Sequence, residues 1–172
     1  MAEIVVSVFG TSRVRRGESL YGFAEQVGRT LAQGGFTIAN GGYRGIMEAS
    51  AKGAAQAGGT VLGVTCSAFK NRVANEFVTR EIVTGSLNER LDTLVRLGRA
   101  YVVLPGGTGT LLELATVWEL KNKRFLDQAR PIVLAGGFWK PLVDLVARDD
   151  PTCAKSVVLA ETPEEVAEWI EK

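Results

Sequence analysis

Short apolar runs alternate with segments of helical spacing along most of the chain. Residues 4–9 form a compact apolar run, and Leu20, Phe23, Val27 and Leu31 then recur every three or four residues within 18–33. The first pattern is typical of a buried strand and the second of an amphipathic helix. Further strands are predicted at 36–39, 60–65, 101–104, 132–135 and 157–159, with a short extra one at 77–83, and further helices at 45–56, 87–98, 110–123, 139–147 and from 162.

Strands that alternate with helices predict a parallel sheet with helices on both faces. The expected fold class is α/β, one Rossmann-like doubly wound sheet in a single domain over residues 1–172. The first and fourth main strands should be neighbours at its centre. Ligands of such sheets bind outside the carboxyl ends of the strands, where the strand order reverses. The loops that start at Gly10, Gly41 and Gly106 are therefore expected to meet at one rim.

The segment Pro-Gly-Gly-Thr-Gly-Thr-Leu-Leu-Glu at 105–113 follows an apolar run and opens a helix near Thr110. A glycine-rich turn between a strand and a helix lets backbone N–H groups approach an anion at the positive end of the helix dipole. The P-loop pattern is missing, and the dinucleotide fingerprint lacks its third glycine. Asn40 ends the second strand where an NAD site needs an acidic residue. The segment predicts a phosphate site of another type and disfavours a nicotinamide-dependent oxidoreductase.

Glu113 and Arg90 each allow two interpretations. Glu113 completes the spacing of a capping box with Thr110, in which the carboxylate bonds to the backbone; alternatively, it lies beside a bound phosphosugar. Arg90 falls on the apolar stripe of its helix, where a guanidinium needs an anionic partner. It either snorkels to a structural ion pair with Glu89 or Asp92, or points into the crevice at a phosphate or at Glu113.

Other polar residues near the rim are open to the same two interpretations. Arg44 either contacts an anion or is solvated, and Thr11 and Ser12 either donate to a ligand or cap a local turn. Arg13, Arg15 and Arg16 form a charge run after the first strand. Such runs are usually solvated, but this one is close enough to the rim for a phosphate role.

The composition limits the chemistry. The chain has no histidine, which excludes Ser-His-Asp and Cys-His systems, and two cysteines are too few for a thiolate zinc site. No metal and no cofactor is expected. A net charge of +1 argues against broad nucleic-acid binding. Neither a leader pattern nor an apolar run of membrane-spanning length is visible, and the cysteines read as free thiols, so a cytoplasmic protein without membrane partners is expected.

Residues 105–113 match PGGxGTxxE, and the chain resembles the LOG (LONELY GUY) family of nucleotide phosphoribohydrolases from about Ile4 to Val146. The resemblance implies hydrolysis of the N-glycosidic bond of a nucleoside 5′-monophosphate, such as a cytokinin riboside monophosphate or AMP, to free base and ribose 5-phosphate. It implies Arg90 and Glu113 as catalytic residues and a homodimer or larger homo-oligomer. The implied binding residues are Gly10, Thr11, Ser12, Gly41, Gly42, Arg44, Gly45, Met47, Pro105, Gly106, Gly107, Thr108, Gly109 and Thr110.

The sequence departs from this family at two positions and in the loop after Cys66. Leu91 stands where plant-type and close bacterial members have lysine, and Leu112 where they have the first of two glutamates. Related proteins of this fold bind nucleotides without cleaving them or carry the molybdenum cofactor, and this remains the alternative. The family is often mislabelled as lysine decarboxylases, but a pyridoxal phosphate enzyme needs a Schiff-base lysine in its pocket. The predicted rim offers only Lys70, in the loop 67–75.

Overall fold

The computed structural model describes residues 3–172, so the first two residues of the predicted domain lie outside it. Within that range, seven strands and six helices follow one another. The strands are β1 (Val5–Phe9), β2 (Thr37–Asn40), β3 (Val61–Cys66), β4 (Arg80–Thr84), β5 (Ala100–Val103), β6 (Ile132–Ala135) and β7 (Val158–Ala160). The helices are α1 (Ser19–Gln33), α2 (Ile46–Gln56), α3 (Leu87–Leu97), α4 (Thr108–Asn122), α5 (Lys140–Val146) and α6 (Pro163–Glu171).

All seven strands pair in parallel in the order β4-β3-β2-β1-β5-β6-β7. Strand β1 lies between β2 and β5, with Val6 beside Ile38 on one side and Val8 beside Val102 on the other. The predicted α/β fold and the central pairing of the first and fourth main strands are confirmed. The strand order reverses between β1 and β5, so a crevice opens beyond their carboxyl ends.

Helices cover both faces of the sheet. Because side chains alternate along a strand, Val6 and Val8 of β1 pack with α1, α2 and α6, whereas Val5 and Phe9 pack with α3, α4 and α5. Two apolar cores result, one on each face of the sheet, and they support the loops at its carboxyl edge.

Helix α2 lies unusually close to α1 because both carry small residues at their contact. A Cβ at Gly53 would overlap the Glu25 carbonyl, and one at Gly28 would overlap the Ser50 carbonyl. The small residues of α2 therefore allow its close contact with α1.

Boundaries differ from prediction by at most three residues. The extra strand expected at 77–83 begins only at Arg80, because residues 75–79 are taken up by a turn that returns the chain to the sheet edge. Helix α4 begins at Thr108 rather than near Thr110. In the described part of the chain, no helix combines the length and apolar character needed to cross a membrane.

Candidate active site

Three loops meet at the carboxyl rim of the sheet, as the sequence predicts. The backbone N–H of Thr11, after β1, donates to the carbonyl of Pro105, after β5, at 3.0 Å. The N–H of Ile46, at the end of the loop after β2, donates to the Thr11 carbonyl at 2.9 Å. Loop 10–12 therefore ties the glycine-rich turn to the start of α2.

Two glycines of the loop after β2 are required by the geometry. Gly45 has a φ of +67°, and a Cβ there would overlap the Thr11 carbonyl. A Cβ at Gly41 would overlap the Arg90 guanidinium. Gly45 thus permits the contact between loops, and Gly41 makes room for the arginine.

The glycine-rich turn forms the start of α4, and its outer surface is open. Gly107 is the N-cap residue, and Gly107, Thr108 and Gly109 are exposed. Thr110 is instead buried within the first turn against Gly106. The first N–H groups of a 15-residue helix therefore face the crevice without a side-chain cap.

The capping-box interpretation of Glu113 is wrong. Because α4 begins two residues earlier than predicted, Thr110 lies inside the helix and makes no cap bond. Glu113 is half-buried, and removal from water raises the pKa of its carboxyl group to about 7, against an opposing effect of the Arg90 charge. A carboxyl that titrates near neutrality and is free of local structural bonding is suited to chemistry.

Arg90 on α3 is buried, at 8% exposure, and is held by backbone carbonyls. Its Nε donates to Val64 O at 2.7 Å, and its Nη2 donates to Gly41 O at 3.0 Å. Burial lowers its pKa, and the charge of Glu113 works against that change. The charge of each group thus affects the pKa of the other, although no salt bridge joins them in the part of the chain that is described.

The structural ion pair considered for Arg90 is also wrong. Asp92 pairs with Arg96 at 2.9 Å on the exposed side of α3, and the Glu89 carboxylate accepts from the Gly85 N–H at 2.7 Å. Arg90 points the other way, into the loop after β2. Its sulfur contact with Met47 at 3.8 Å brings another of the predicted binding residues to the guanidinium.

Asn40 has a structural role at the end of β2. It is fully buried, its Nδ2 donates to Met47 O at 2.9 Å, and its Oδ1 accepts from Gly42 N at 2.8 Å. These bonds fix the loop that carries Gly41, and so they fix the carbonyl to which Arg90 donates.

Sequence reasoning missed an aromatic and cationic cluster beside Arg90. Tyr43 and Phe69 lie 6.1 Å apart, and the guanidinium carbon of Arg90 lies 5.4 and 5.7 Å from their ring centroids. The guanidinium carbon of Arg72 lies 5.4 and 5.2 Å from the same two centroids. The loop that carries Arg72 is fastened at Asn75, whose Nδ2 donates to Tyr43 O at 2.8 Å.

One cavity adjoins this cluster, and a second cavity shares Ser12 and Arg44 with the first. The first, of about 480 Å³, is lined by Ser12, Tyr43, Arg44, Lys70, Asn71, Arg72 and Val73. The second, of about 580 Å³, is lined by Ser12, Arg13, Val14, Arg15, Arg16, Tyr21, Arg44, Gly45 and Glu48. Arg16 lines only the second cavity, and its guanidinium is paired there with Glu48 at 2.6 Å and with Glu76 at 2.9 Å. Arg44 lines both cavities, at the position where an anion contact was predicted.

The site is rich in groups for anions and poor in groups for metals. Among residues 3–172, no group of three or more His, Cys, Asp or Glu side chains could hold a metal ion. The arrangement instead offers a helix N-terminus, a buried guanidinium and one carboxyl of raised pKa around a solvent-accessible crevice.

Comparison with known proteins fits this arrangement. Residues 3–166 match the model of the SLOG cluster4 family. The chain is 34% identical over 119 residues to an uncharacterised protein of Archaeoglobus fulgidus, which covers 69% of this chain and 77% of that protein. It is 28% identical over 144 residues to a Rhodococcoides fascians protein named cytokinin riboside 5′-monophosphate phosphoribohydrolase, which covers 82% and 73% respectively.

A solved structure is similar along nearly the whole chain. The molybdenum cofactor binding protein of Rippkaea orientalis superimposes with a TM-score of 0.81 at 26% identity, over 99% of this chain and 97% of that one. The chain is therefore similar in sequence to a protein named as a hydrolase and in structure to a protein named as a cofactor binder.

Proposed function

The chain belongs to the SLOG cluster4 family, which confirms the predicted relationship to the LOG proteins, and on this premise we propose that it hydrolyses nucleoside 5′-monophosphates. The reaction breaks the N-glycosidic bond and gives a free base and ribose 5-phosphate. One observation carries the proposal: Glu113, one turn into the helix that starts at the glycine-rich turn, is electrostatically coupled to the buried Arg90.

The 5′-phosphate is assigned to the turn 106–110. There the unpaired N–H groups and the positive end of the α4 dipole favour an anion. Because Glu113 lies one helical turn further on, a phosphate on the turn brings the ribose of the same nucleotide near this carboxyl group.

Glu113 is assigned to the reacting carbon. In its ionised form it stabilises the positive charge that develops at C1′ as the base leaves, or orients the water that attacks there. Arg90 is a positioning residue, because its carbonyl bonds fix a positive charge that holds Glu113 and the substrate in place. The water supplies hydroxide to C1′ and, in net balance, a proton to the base.

A second candidate is a carrier that binds a nucleotide or the molybdenum cofactor without turnover. It is favoured by the similarity to the Rippkaea orientalis protein and by Leu91 and Leu112, which replace residues of the LOG pattern. The phosphate group of such a ligand would use the same turn, so the two candidates differ in chemistry and not in location.

Product analysis separates the two candidates. We expect wild-type protein incubated with AMP, GMP, CMP, UMP and N6-substituted AMP to release base and ribose 5-phosphate from at least one of them. Heat-treated protein is the blank. Stabilisation of the fold by AMP without base release from any nucleotide would favour the carrier and contradict the hydrolase.

We also propose a homodimer or larger homo-oligomer. Exposed leucines on α3 and α4, Leu87 at 46%, Leu111 at 37% and Leu112 at 41%, lie on the same face of the sheet as the exposed Leu145 on α5. An apolar surface of this kind is typical of an interface. Sedimentation at several concentrations tests it, and a monomer at all of them would contradict it.

A cytoplasmic location is part of the same proposal. Cys66 and Cys153 are both free and buried, which fits a reducing compartment.

A further inference from the structure

The cavity of about 480 Å³ is lined by cations and an aromatic residue. Arg44, Lys70 and Arg72 all line it, and no acidic residue does. These three side chains take part in none of the eight salt bridges that form among residues 3–172. The volume is within the usual range for a site that binds a small molecule. The cavity therefore suits a ligand group that accepts hydrogen bonds.

Most polar groups of this cavity can only donate. An arginine or lysine side chain donates hydrogen bonds and does not accept them. The Tyr43 hydroxyl is bonded to Cys66, from whose N–H it accepts at 2.8 Å, so its ring rather than its hydroxyl is left for a ligand. The Tyr43 carbonyl accepts from Asn75 Nδ2 at 2.8 Å and is occupied as well. Ser12 and Asn71 can donate or accept, so donors outnumber acceptors.

The order of the strands sets the distance from this cavity to the glycine-rich turn. The turn 106–110 follows β5, whereas the loop 67–75, which carries Lys70 and Arg72, follows β3, three strands away. Neighbouring strands lie about 4.8 Å apart, so the turn and this loop are separated by roughly 14 Å. A phosphate on the turn and a group beside Lys70 and Arg72 are therefore opposite ends of one elongated ligand.

The reacting pair connects these two ends. Glu113 lies one helical turn beyond the glycine-rich turn, and its charge affects the pKa of Arg90. The guanidinium carbon of Arg90 lies 5.4 Å from the ring centroid of Tyr43, and Tyr43 lines the cavity. The sequence of turn, reacting pair and cavity thus matches the sequence of phosphate, ribose and base in a nucleoside 5′-monophosphate.

The cavity on the other side of the turn does not offer an equivalent place. It measures about 330 Å³ and is lined by Ser19, Leu20, Phe23, Pro105, Ala135, Gly136 and Glu161. Its α1 residues belong to the helix layer on one face of the sheet, whereas α3 and α4, which carry Arg90 and Glu113, cover the other face. A base in that cavity would lie across the sheet edge from the reacting pair.

We propose that the cavity lined by Arg44, Lys70 and Arg72 binds the base of the nucleoside 5′-monophosphate and selects bases with an oxo group, namely hypoxanthine, guanine and uracil, over adenine and cytosine. The inference rests on the proposed function for the place of the phosphate. Guanine presents N7 and O6 as adjacent acceptors, whereas adenine presents N7 beside an amino group. An amino group that is taken from water and left facing a cation loses its acceptor, which weakens binding.

Titration calorimetry with IMP and AMP, which differ at position 6 of the purine, tests this selection. The Glu113→Gln variant is used, so that little ligand is hydrolysed during the titration. We expect IMP to bind about tenfold more tightly than AMP, as one specific pair of hydrogen bonds to a base edge provides. UMP should exceed CMP in the same way. Addition of Lys70→Gln and Arg72→Gln should bring IMP and AMP to similar affinities, because a glutamine amide both donates and accepts.

The matched control adds Arg99→Gln and Arg148→Gln instead. These two substitutions remove the same charge from exposed positions that do not line the cavity. The control should keep the preference for IMP. Because IMP and AMP carry the same phosphate, a general loss of attraction for anions cancels in the ratio of their affinities.

Equal affinities for IMP and AMP in the Glu113→Gln variant would overturn the inference, and so would a preference for IMP that survives Lys70→Gln and Arg72→Gln. Both of these positions are exposed, and an unfolding curve checks that the fold is retained. Base release from the nucleotide panel is measured with wild-type protein. Its absence would contradict the hydrolase, while the affinity ratio still tests the base subsite.

Discussion

Arg90 and Arg72 stack on the same two rings, Tyr43 and Phe69, yet they lie in opposite surroundings. Arg90 is buried and bonded to backbone carbonyls, whereas Arg72 is exposed on the loop 67–75 and faces a cavity. One side of the crevice, here called the buried wall (Asn40, Gly41, Met47 and Arg90), is fixed by the fold. The other side, the open rim (Arg44 and residues 67–75 and 106–110), presents cations and backbone N–H groups that are available to a ligand.

The difference separates positioning from binding. On the buried wall, each polar group has a partner within the protein, so a charge there is preorganised before a substrate arrives. On the open rim, the cations and helix N–H groups are solvated, so they gain partners only when an anion binds. Glu113 lies between the two, half-buried and coupled to Arg90.

The largest effect is expected from Arg90→Met. The substitution leaves the Val64 and Gly41 carbonyls without their donor, which should lower the free energy of unfolding by about 1–3 kcal/mol. Loss of the preorganised charge should lower kcat/KM for base release by about 10²–10³-fold. Arg96→Met, on the solvated side of the same helix, is the matched control. Because its ion pair with Asp92 is exposed, we expect Arg96→Met to lower the free energy of unfolding by less than about 1 kcal/mol and to leave the activity unchanged.

Gly41→Ala should disturb the buried wall by adding a single methyl group, a smaller change than the replacement of Arg90. The new Cβ overlaps the Arg90 guanidinium, so the arginine must move, at a cost of about 1–3 kcal/mol in unfolding free energy and with a clear loss of kcat. Gly22 lies on the exposed surface of α1, where a new Cβ would have no atom within 4 Å. Gly22→Ala should therefore raise the free energy of unfolding by up to about 1 kcal/mol. Chemical denaturation and base-release assays on both variants check this, and equal effects of the two would refute the account.

The pH dependence of kcat/KM sharpens the role of Glu113. The pKa of this carboxyl is raised to about 7, so at pH 5 nearly all of it is protonated and at pH 9 nearly all is ionised. If the carboxylate form acts, kcat/KM should rise about tenfold per pH unit below about 7 and level off above it. A profile that instead falls above pH 7 would mean that the protonated form acts.

Much of the buried wall could be predicted from the sequence. The apolar spacing of α3 placed Arg90 on its buried stripe, and the alternation of strands and helices placed three loops at one rim. The partners of Arg90 could not be predicted, because Val64 and Gly41 are distant in sequence and carbonyl bonds leave no trace in residue type. The partners suggested instead, Glu89 and Asp92, are near in sequence and face solvent.

The open rim was less predictable. The sequence placed the start of α4 two residues too late, because glycine and threonine carry no apolar signal. For this reason it did not show that Thr110 lies inside the helix and that no capping box forms. Arg72 lies in a polar loop whose composition is the same for a solvated loop and for a binding loop. Only the structure brings it against Tyr43 and Phe69.

Glu113→Gln tests the central claim most directly, because it predicts opposite changes in activity and stability. In the folded protein the pKa of Glu113 is about 7, above its ordinary value of 4.5, so the native state loses stability as the pH rises from about 4.5 to 7 and does not regain it above. The neutral amide removes this loss. The free energy of unfolding of the variant should therefore exceed that of wild type by about 1–3 kcal/mol at pH 8, with little difference at pH 4.

The same sample is assayed for release of base from the best substrate of the nucleotide panel. The account predicts at least about a 10²-fold loss of release together with the gain in stability at pH 8. A variant that releases base at the wild-type rate, or one that is no more stable than wild type at pH 8, would contradict it.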